Sequence, residues 1–149
     1  MSADDEYRPT LEDVGALILV RTVDSVGYQT GTFTADTRPT DSQVEVLIDK
    51  AMSDVARAIG TDIPEILWEN ARHVASKCTV MYIELSLYPH EIRGNISSYQ
   101  EWKVLYEEEL TELIAAVGAI EAGATGEDAP GNMPRYAYSV PSYIYSGTI

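Results

Sequence analysis

Hydrophobic residues recur at helical spacing in four stretches of the chain, which predicts four helices. The first stretch runs from about Leu11 to Arg21. It follows Pro9 and Thr10 and has two acidic residues in its first turn, where they suit the positive end of a helix dipole. The polar stretch 24–38 comes next and carries two glycines and four threonines. This composition favours a long loop or a small hairpin over a helix.

The second and third helices have clear boundary signals. Thr40 and Gln43 match a capping box at the start of the second helix, and Gly60 is suited to its end. The third helix is predicted to begin at Pro64 and must end before Pro89. Its apolar residues form a regular seam with a second stripe beside it, so we expect this helix to be central. The seam is Leu67, Ala71, Val74, Cys78, Met81 and Leu85, and the stripe is Trp68, Ala75 and Tyr82.

The fourth helix is predicted after Ser98, which matches a second capping box with Glu101, and it ends near Gly123. Its apolar residues are Trp102, Tyr106, Leu110, Leu113, Val117 and Ile120. We therefore predict an all-α fold, a four-helix subunit over residues 1–123 with a long loop after helix 1.

The end of the chain is predicted to leave this helical domain. Residues 124–131 have the composition of a linker, and residues 132–149 are rich in tyrosine and interrupted by prolines. We expect an extended aromatic arm there that docks on another protein surface. Its contacts would come from Tyr136, Tyr138, Val140, Tyr143 and Tyr145.

The composition limits the classes of function. The chain has 149 residues, of which 45% are hydrophobic, so it can bury a core. Its apolar stretches are too short to cross a bilayer, and its acidic start leads into no signal region, so we expect a soluble protein made in a cytoplasm. A net charge of −14 argues against tight binding to nucleic-acid phosphates. The same charge alone would also suit an acidic inhibitor that mimics nucleic acid.

A search for metal-binding patterns finds little. His73 and His90 lie far apart in the sequence, and the spacing between His73 and Cys78 does not place two ligands on one helical face. Cys78, the single cysteine, lies in an apolar helical run and is expected to be a buried hydrophobe. We predict no metal site and no cofactor.

One catalytic pattern remains as an alternative. Glu108, Glu109 and Glu112 resemble the Glu-Glu-x-x-Glu helix motif of all-α nucleotide pyrophosphatases, whose carboxylates hold magnesium. Such enzymes need a second acidic pair from a facing helix, and the second helix offers only Glu45 and Asp49. We therefore favour solvated glutamates and predict that the chain is not an enzyme.

Other residues are candidates for assembly contacts. In the loop, Tyr28, Phe33 and Arg38 are predicted to meet a neighbouring molecule, with Phe33 as an exposed aromatic. The competing interpretation is that the loop folds back and buries Phe33. Glu84 lies in an apolar run and needs a partner, either Arg72 or Lys77 within the fold or a cation on a neighbouring subunit.

Several segments, taken in order, resemble the head-to-tail adaptor (head-completion) proteins of long-tailed phages of actinobacteria. They run from about Pro9 to Leu113 and read RPTLEDVGALILVRT, GTFTADTRPTDSQVEVLID, MYIELSLYP and SSYQEWKVLYEEELTEL. The order of the segments carries the resemblance, and above all T-F-T-x-x-T-R-P-T before the second helix.

The resemblance implies a small helical subunit of the virion neck that assembles into a twelve-fold ring below the portal. Such a ring extends the DNA channel and offers a platform for the next neck protein, the stopper. The implied partners are the portal protein, the stopper or another tail protein, and further copies of the chain. Double-stranded DNA would pass without tight binding, because an acidic wall repels phosphates.

Overall fold

The computed structural model describes residues 6–123, and within this range the fold is all-α, as predicted. It contains five α-helices: α1 Leu11–Gly15, α2 Asp41–Ile59, α3 Trp68–Leu87, α4 Pro89–Arg93 and α5 Tyr99–Glu121. Two 3-10 turns, Leu19–Arg21 and Glu65–Leu67, lie before α2 and α3 respectively. The linker and the arm with Tyr136, Tyr138, Val140, Tyr143 and Tyr145 lie outside the described residues.

The first helix is much shorter than predicted. It ends at Gly15, and the chain turns through a 3-10 segment instead of continuing to Arg21. A Cβ atom at Gly15 would lie 2.8 Å from the carbonyl oxygen of Gly31 and 3.2 Å from the Cα of Thr32. The loop backbone therefore packs directly against this glycine, which leaves no room for a side chain at this position.

The signals at the ends of α2 were interpreted correctly. Thr40 accepts a hydrogen bond from the backbone of Gln43, whose side chain bonds back to the Thr40 backbone, and Gly60 closes the helix in the left-handed region. The third helix begins later than predicted, because Pro64 starts a 3-10 turn and α3 itself begins at Trp68.

The start of α5 and the presence of α4 correct the prediction. Ser98 makes no side-chain cap, and the hydroxyl of Ser97 instead accepts a hydrogen bond of 3.0 Å from the Tyr99 backbone. The short helix α4 was not predicted and begins at Pro89, directly after the end of α3. Four helices were expected, whereas residues 6–123 form five.

The core confirms that α3 is central. It packs against α2 and α5 along its length and also contacts α1 and α4. Its buried residues lie on more than one side, as expected of a helix enclosed by neighbours. They are Ala71, Val74, Ala75, Ser76, Cys78, Thr79, Val80, Met81, Ile83 and Glu84.

A smaller cluster lies beside the main core, around Cys78. The buried residues Ala51, Cys78 and Met81 form its base, and half-buried aromatic side chains of α3 and α5 cover them. Burial raises the pKa of the Cys78 thiol to about 12, although its hydrogen bond with Tyr106 acts in the opposite direction. Cys78 is therefore a packed hydrophobe, as the sequence predicted.

No helix in residues 6–123 has both the length and the apolar character needed to cross a membrane.

Candidate docking surface

The site is built around a buried ion pair between two segments that are far apart in the sequence. Glu84, on α3, is only 1% exposed. Both of its carboxylate oxygens accept hydrogen bonds from Arg21, each 2.9 Å long, and the hydroxyl of Ser97 adds a third of 2.8 Å. Satisfying the carboxylate in this way offsets much of its desolvation cost.

This pair corrects the prediction for Glu84. The pair is intramolecular, so Glu84 is not left for a cation on a neighbouring subunit, and neither predicted internal partner binds it. Lys77 pairs instead with Glu109 at 2.9 Å, and Arg72 donates to the carbonyl oxygen of Glu6 at 2.8 Å.

Arg21 links Glu84 to α4. Its guanidinium also donates to Glu91 at 2.8 Å and lies 3.5 Å from the centre of the Tyr88 ring. Burial alone would lower the pKa of Arg21, but its hydrogen bonds with Glu84 and Glu91 raise it above the ordinary value. The hydrogen bond from Arg21 lowers the pKa of Glu91. Arg21 and Glu91 thus each favour the charged form of the other.

The chain after Arg21 forms a small hairpin. Val23 and Gln29 make an isolated antiparallel bridge, and the Thr30 backbone N–H donates to the Thr22 carbonyl oxygen at 2.8 Å. At the turn, the carboxylate of Asp24 accepts hydrogen bonds from the backbone N–H groups of Val26 and Tyr28, at 3.0 and 2.9 Å.

Four large apolar side chains on and beside this hairpin are exposed. We call them the docking edge: Leu19, Val20, Val26 and Tyr28. Val20 is 70% exposed, and Val26 and Tyr28 are each 72% exposed. Ile96, which precedes the Ser97 that binds Glu84, is 74% exposed. Arg21 anchors the docking edge, because Val20 directly precedes Arg21 in the chain and the hairpin directly follows Arg21.

Of the three loop residues predicted to contact a neighbouring molecule, two are exposed and one is buried. Tyr28 and Arg38 are exposed, and the carbonyl oxygen of Arg38 accepts a hydrogen bond of 3.0 Å from the Tyr88 hydroxyl. Phe33 is only 3% exposed and belongs to the main core, so its predicted exposure is wrong. The loop folds back over α1, because Gly15 allows its backbone to approach, and this carries Phe33 inward.

Sequence reasoning missed the exposed residues Leu19 and Val20. Both fall within the helix predicted as Leu11 to Arg21, where hydrophobic residues are expected to face the core. The signal that could have separated them is the run of four apolar residues from Leu17 to Val20, because one face of a helix cannot bury four consecutive residues.

The contacts of the acidic residues do not favour the magnesium alternative. Glu109 binds Lys77, and the acidic pair on α2, Glu45 and Asp49, binds Arg8 at 3.7 and 2.6 Å. Among residues 6–123, no three His, Cys, Asp or Glu side chains are grouped so that they could hold a metal ion.

Comparisons with models of protein families, with curated proteins and with solved structures found no match to this chain.

Proposed function

We propose that this chain is a structural adaptor of a phage neck, which forms a ring below the portal and connects it to the stopper. The observation that carries the proposal is the docking edge. Leu19, Val20, Val26 and Tyr28 lie exposed on a segment that Arg21 fixes to the buried Glu84. Apolar groups exposed together on an anchored segment are typical of a surface that another protein covers.

The charge of the chain agrees with this function. A channel subunit must let DNA pass, and a net charge of −14 repels phosphates instead of binding them. The proposed partners are further copies of the chain, the portal protein and the stopper, with Tyr28 and Arg38 among the contacts. The segment with Tyr136, Tyr138, Val140, Tyr143 and Tyr145 remains the proposed docking arm.

The experiment is to examine the purified full chain for a closed ring by native mass spectrometry and electron microscopy. We expect a single ring species with a central channel, and double-stranded DNA should not bind to it at moderate salt concentration. A chain that stays monomeric at its highest soluble concentration, or that binds DNA tightly, contradicts the proposal.

A nucleotide hydrolysis assay with magnesium tests the enzymatic alternative. We expect no turnover by the purified chain. Turnover that is lost when Glu108, Glu109 and Glu112 are changed to Gln would replace the adaptor with a pyrophosphatase. The matched control is Glu65→Gln with Glu69→Gln, since both of these glutamates are exposed elsewhere on the chain.

A further inference from the structure

A second surface combines exposed apolar and acidic residues, and it lies on α5. Glu101, Leu105, Glu108 and Glu112 are exposed and separated by four, three and four residues, so they follow one side of the helix. We call them the acidic ridge. Within residues 6–123, the carboxylates of Glu101 and Glu108 form no hydrogen bond or ion pair. Val104, beside the ridge, is 50% exposed.

The region around the docking edge holds two cations without partners. The guanidinium groups of Arg38 and Arg93 are exposed and form no hydrogen bond or ion pair within the described part of the chain. Arg38 is tied to the edge through its backbone contact with Tyr88, over whose ring Arg21 lies. Arg93 lies two residues after Glu91, which binds Arg21.

These two arginines differ from the other cations for which the structure shows contacts. Five of these cations pair with a carboxylate of their own chain, Arg72 donates to a backbone carbonyl oxygen, and Lys50 lies over the Tyr82 ring. The five are Arg8, Arg21, Arg57, Lys77 and Lys103. Copies that carry a charge of −14 repel one another, so close approach is favoured where an unpaired cation of one copy meets an unpaired carboxylate of the next.

We propose that the docking edge of one copy, with Arg38 and Arg93, binds the acidic ridge on α5 of a second copy. This inference rests on the proposed function and names the surfaces by which the ring would be built. A ring requires this contact to be head-to-tail, with the edge of each copy on the ridge of the next, because a two-fold pairing of the same surfaces would close as a dimer. Each copy offers both surfaces, and repeated head-to-tail contacts close into a ring when the rotation between copies allows it.

The two surfaces also match in their apolar parts. The docking edge would cover Leu105 on the ridge and Val104 beside it, which are both exposed in the single chain. Covering them removes apolar area from water, while the charges set the orientation of the two copies.

The test reverses the charges on each surface of the full chain. An edge variant carries Arg38→Glu and Arg93→Glu, and a ridge variant carries Glu101→Lys and Glu108→Lys. We expect each variant alone to lose self-association in sedimentation velocity and native mass spectrometry. An equimolar mixture of the two should assemble again with strict alternation of the variants, because each reversed surface then meets its complement.

A control variant separates this contact from a general effect of charge. Asp62→Lys with Glu65→Lys replaces two exposed acidic residues between α2 and α3. It therefore changes the net charge by the same amount as the ridge variant. It should assemble like the unmodified chain, and circular dichroism should show the same helicity for all variants, since every substituted side chain is exposed.

The outcomes are distinguishable from those of the adaptor proposal. If the unmodified chain forms rings and the edge or ridge variant also does so alone, or if the mixture does not restore assembly, this inference is wrong and the adaptor proposal stands. If the unmodified chain never self-associates, both fail.

Discussion

Arg21 and Glu84 show how one buried pair can fix a surface that is otherwise exposed. The pair is 63 residues apart in sequence, and it holds the chain beside Val20 against the end of α3. Removing one member would leave the other charged and poorly solvated, which costs more than the intact pair contributes.

We therefore expect Glu84→Gln to lower the free energy of unfolding by about 3 kcal/mol, measured by urea denaturation. The matched control is Glu107→Gln, because Glu107 pairs with Lys103 on the surface of α5, where water screens the pair. The control should leave the urea midpoint unchanged. Equal midpoints for both variants would mean that the Arg21–Glu84 pair does not stabilise the fold.

Glu91 gives this cluster a dependence on pH. Its pKa is lowered below the ordinary 4.5 by the hydrogen bond from Arg21, so the folded state binds the proton less readily than the unfolded state. The stability that Glu91 contributes is thus present above about pH 4.5 and is lost as the pH falls through the lowered pKa.

The comparison of the unmodified chain with Glu91→Gln checks this sign. The variant should be less stable at pH 7, and the difference in unfolding free energy should shrink as the pH falls below about 4.5. Urea denaturation at a series of pH values measures it. A difference that stays constant down to pH 3 would show that Arg21 does not favour the charged form of Glu91.

At the scale of the helices, the local signals at α2 were reliable and those at α5 were misleading. Thr40 and Ser98 both precede residues of the capping-box pattern, yet only Thr40 makes the cap. Thr40→Ala should therefore cost about 1 kcal/mol of stability. Ser98→Ala should leave the thermal midpoint unchanged, since Ser98 makes no side-chain cap. A larger loss for Ser98→Ala than for Thr40→Ala would reverse this assignment.

The all-α class, the central position of α3 and most of the core could be predicted, because they depend on periodicity within single helices. The packing of the loop on α1 could not, since the contact between the Gly31 backbone and Gly15 forms only after the chain has folded back. The partner of Glu84 was missed for a related reason. Helical spacing finds pairs a few residues apart, whereas Arg21 reaches Glu84 only after the chain has folded.

At the scale of the whole molecule, residues 6–123 already form a hydrophobic core. Among these described residues, the last buried side chains are Leu113, Ala116 and Val117, in the C-terminal half of α5. A chain that ends at Gly123 should therefore keep its helicity and its cooperative unfolding, measured by circular dichroism. This truncation also tests the predicted end of the helical domain at residue 123.

A second truncation provides the control. A chain that ends at Glu112 loses those three buried side chains, of which Leu113 and Val117 are large and contribute roughly 1.5–3 kcal/mol each when fully buried. That loss is comparable with the total stability of a small domain, about 5–15 kcal/mol, so this chain should be largely unfolded. A shorter chain that folds as well as the longer one would exclude α5 from the core.

The contacts of Arg21 also have a consequence for local opening. One guanidinium joins the turn Leu19–Arg21, the end of α3 and the helix α4, and Ser97 adds the start of α5 through Glu84. Segments that share one anchor should open together, so their amide protons should exchange with solvent at similar free energies of opening. Arg21→Gln should speed exchange in α4 and at residues 19–21 while α2 keeps its protection. A partner bound at the docking edge would then slow exchange in α4 as well, at amides it does not touch.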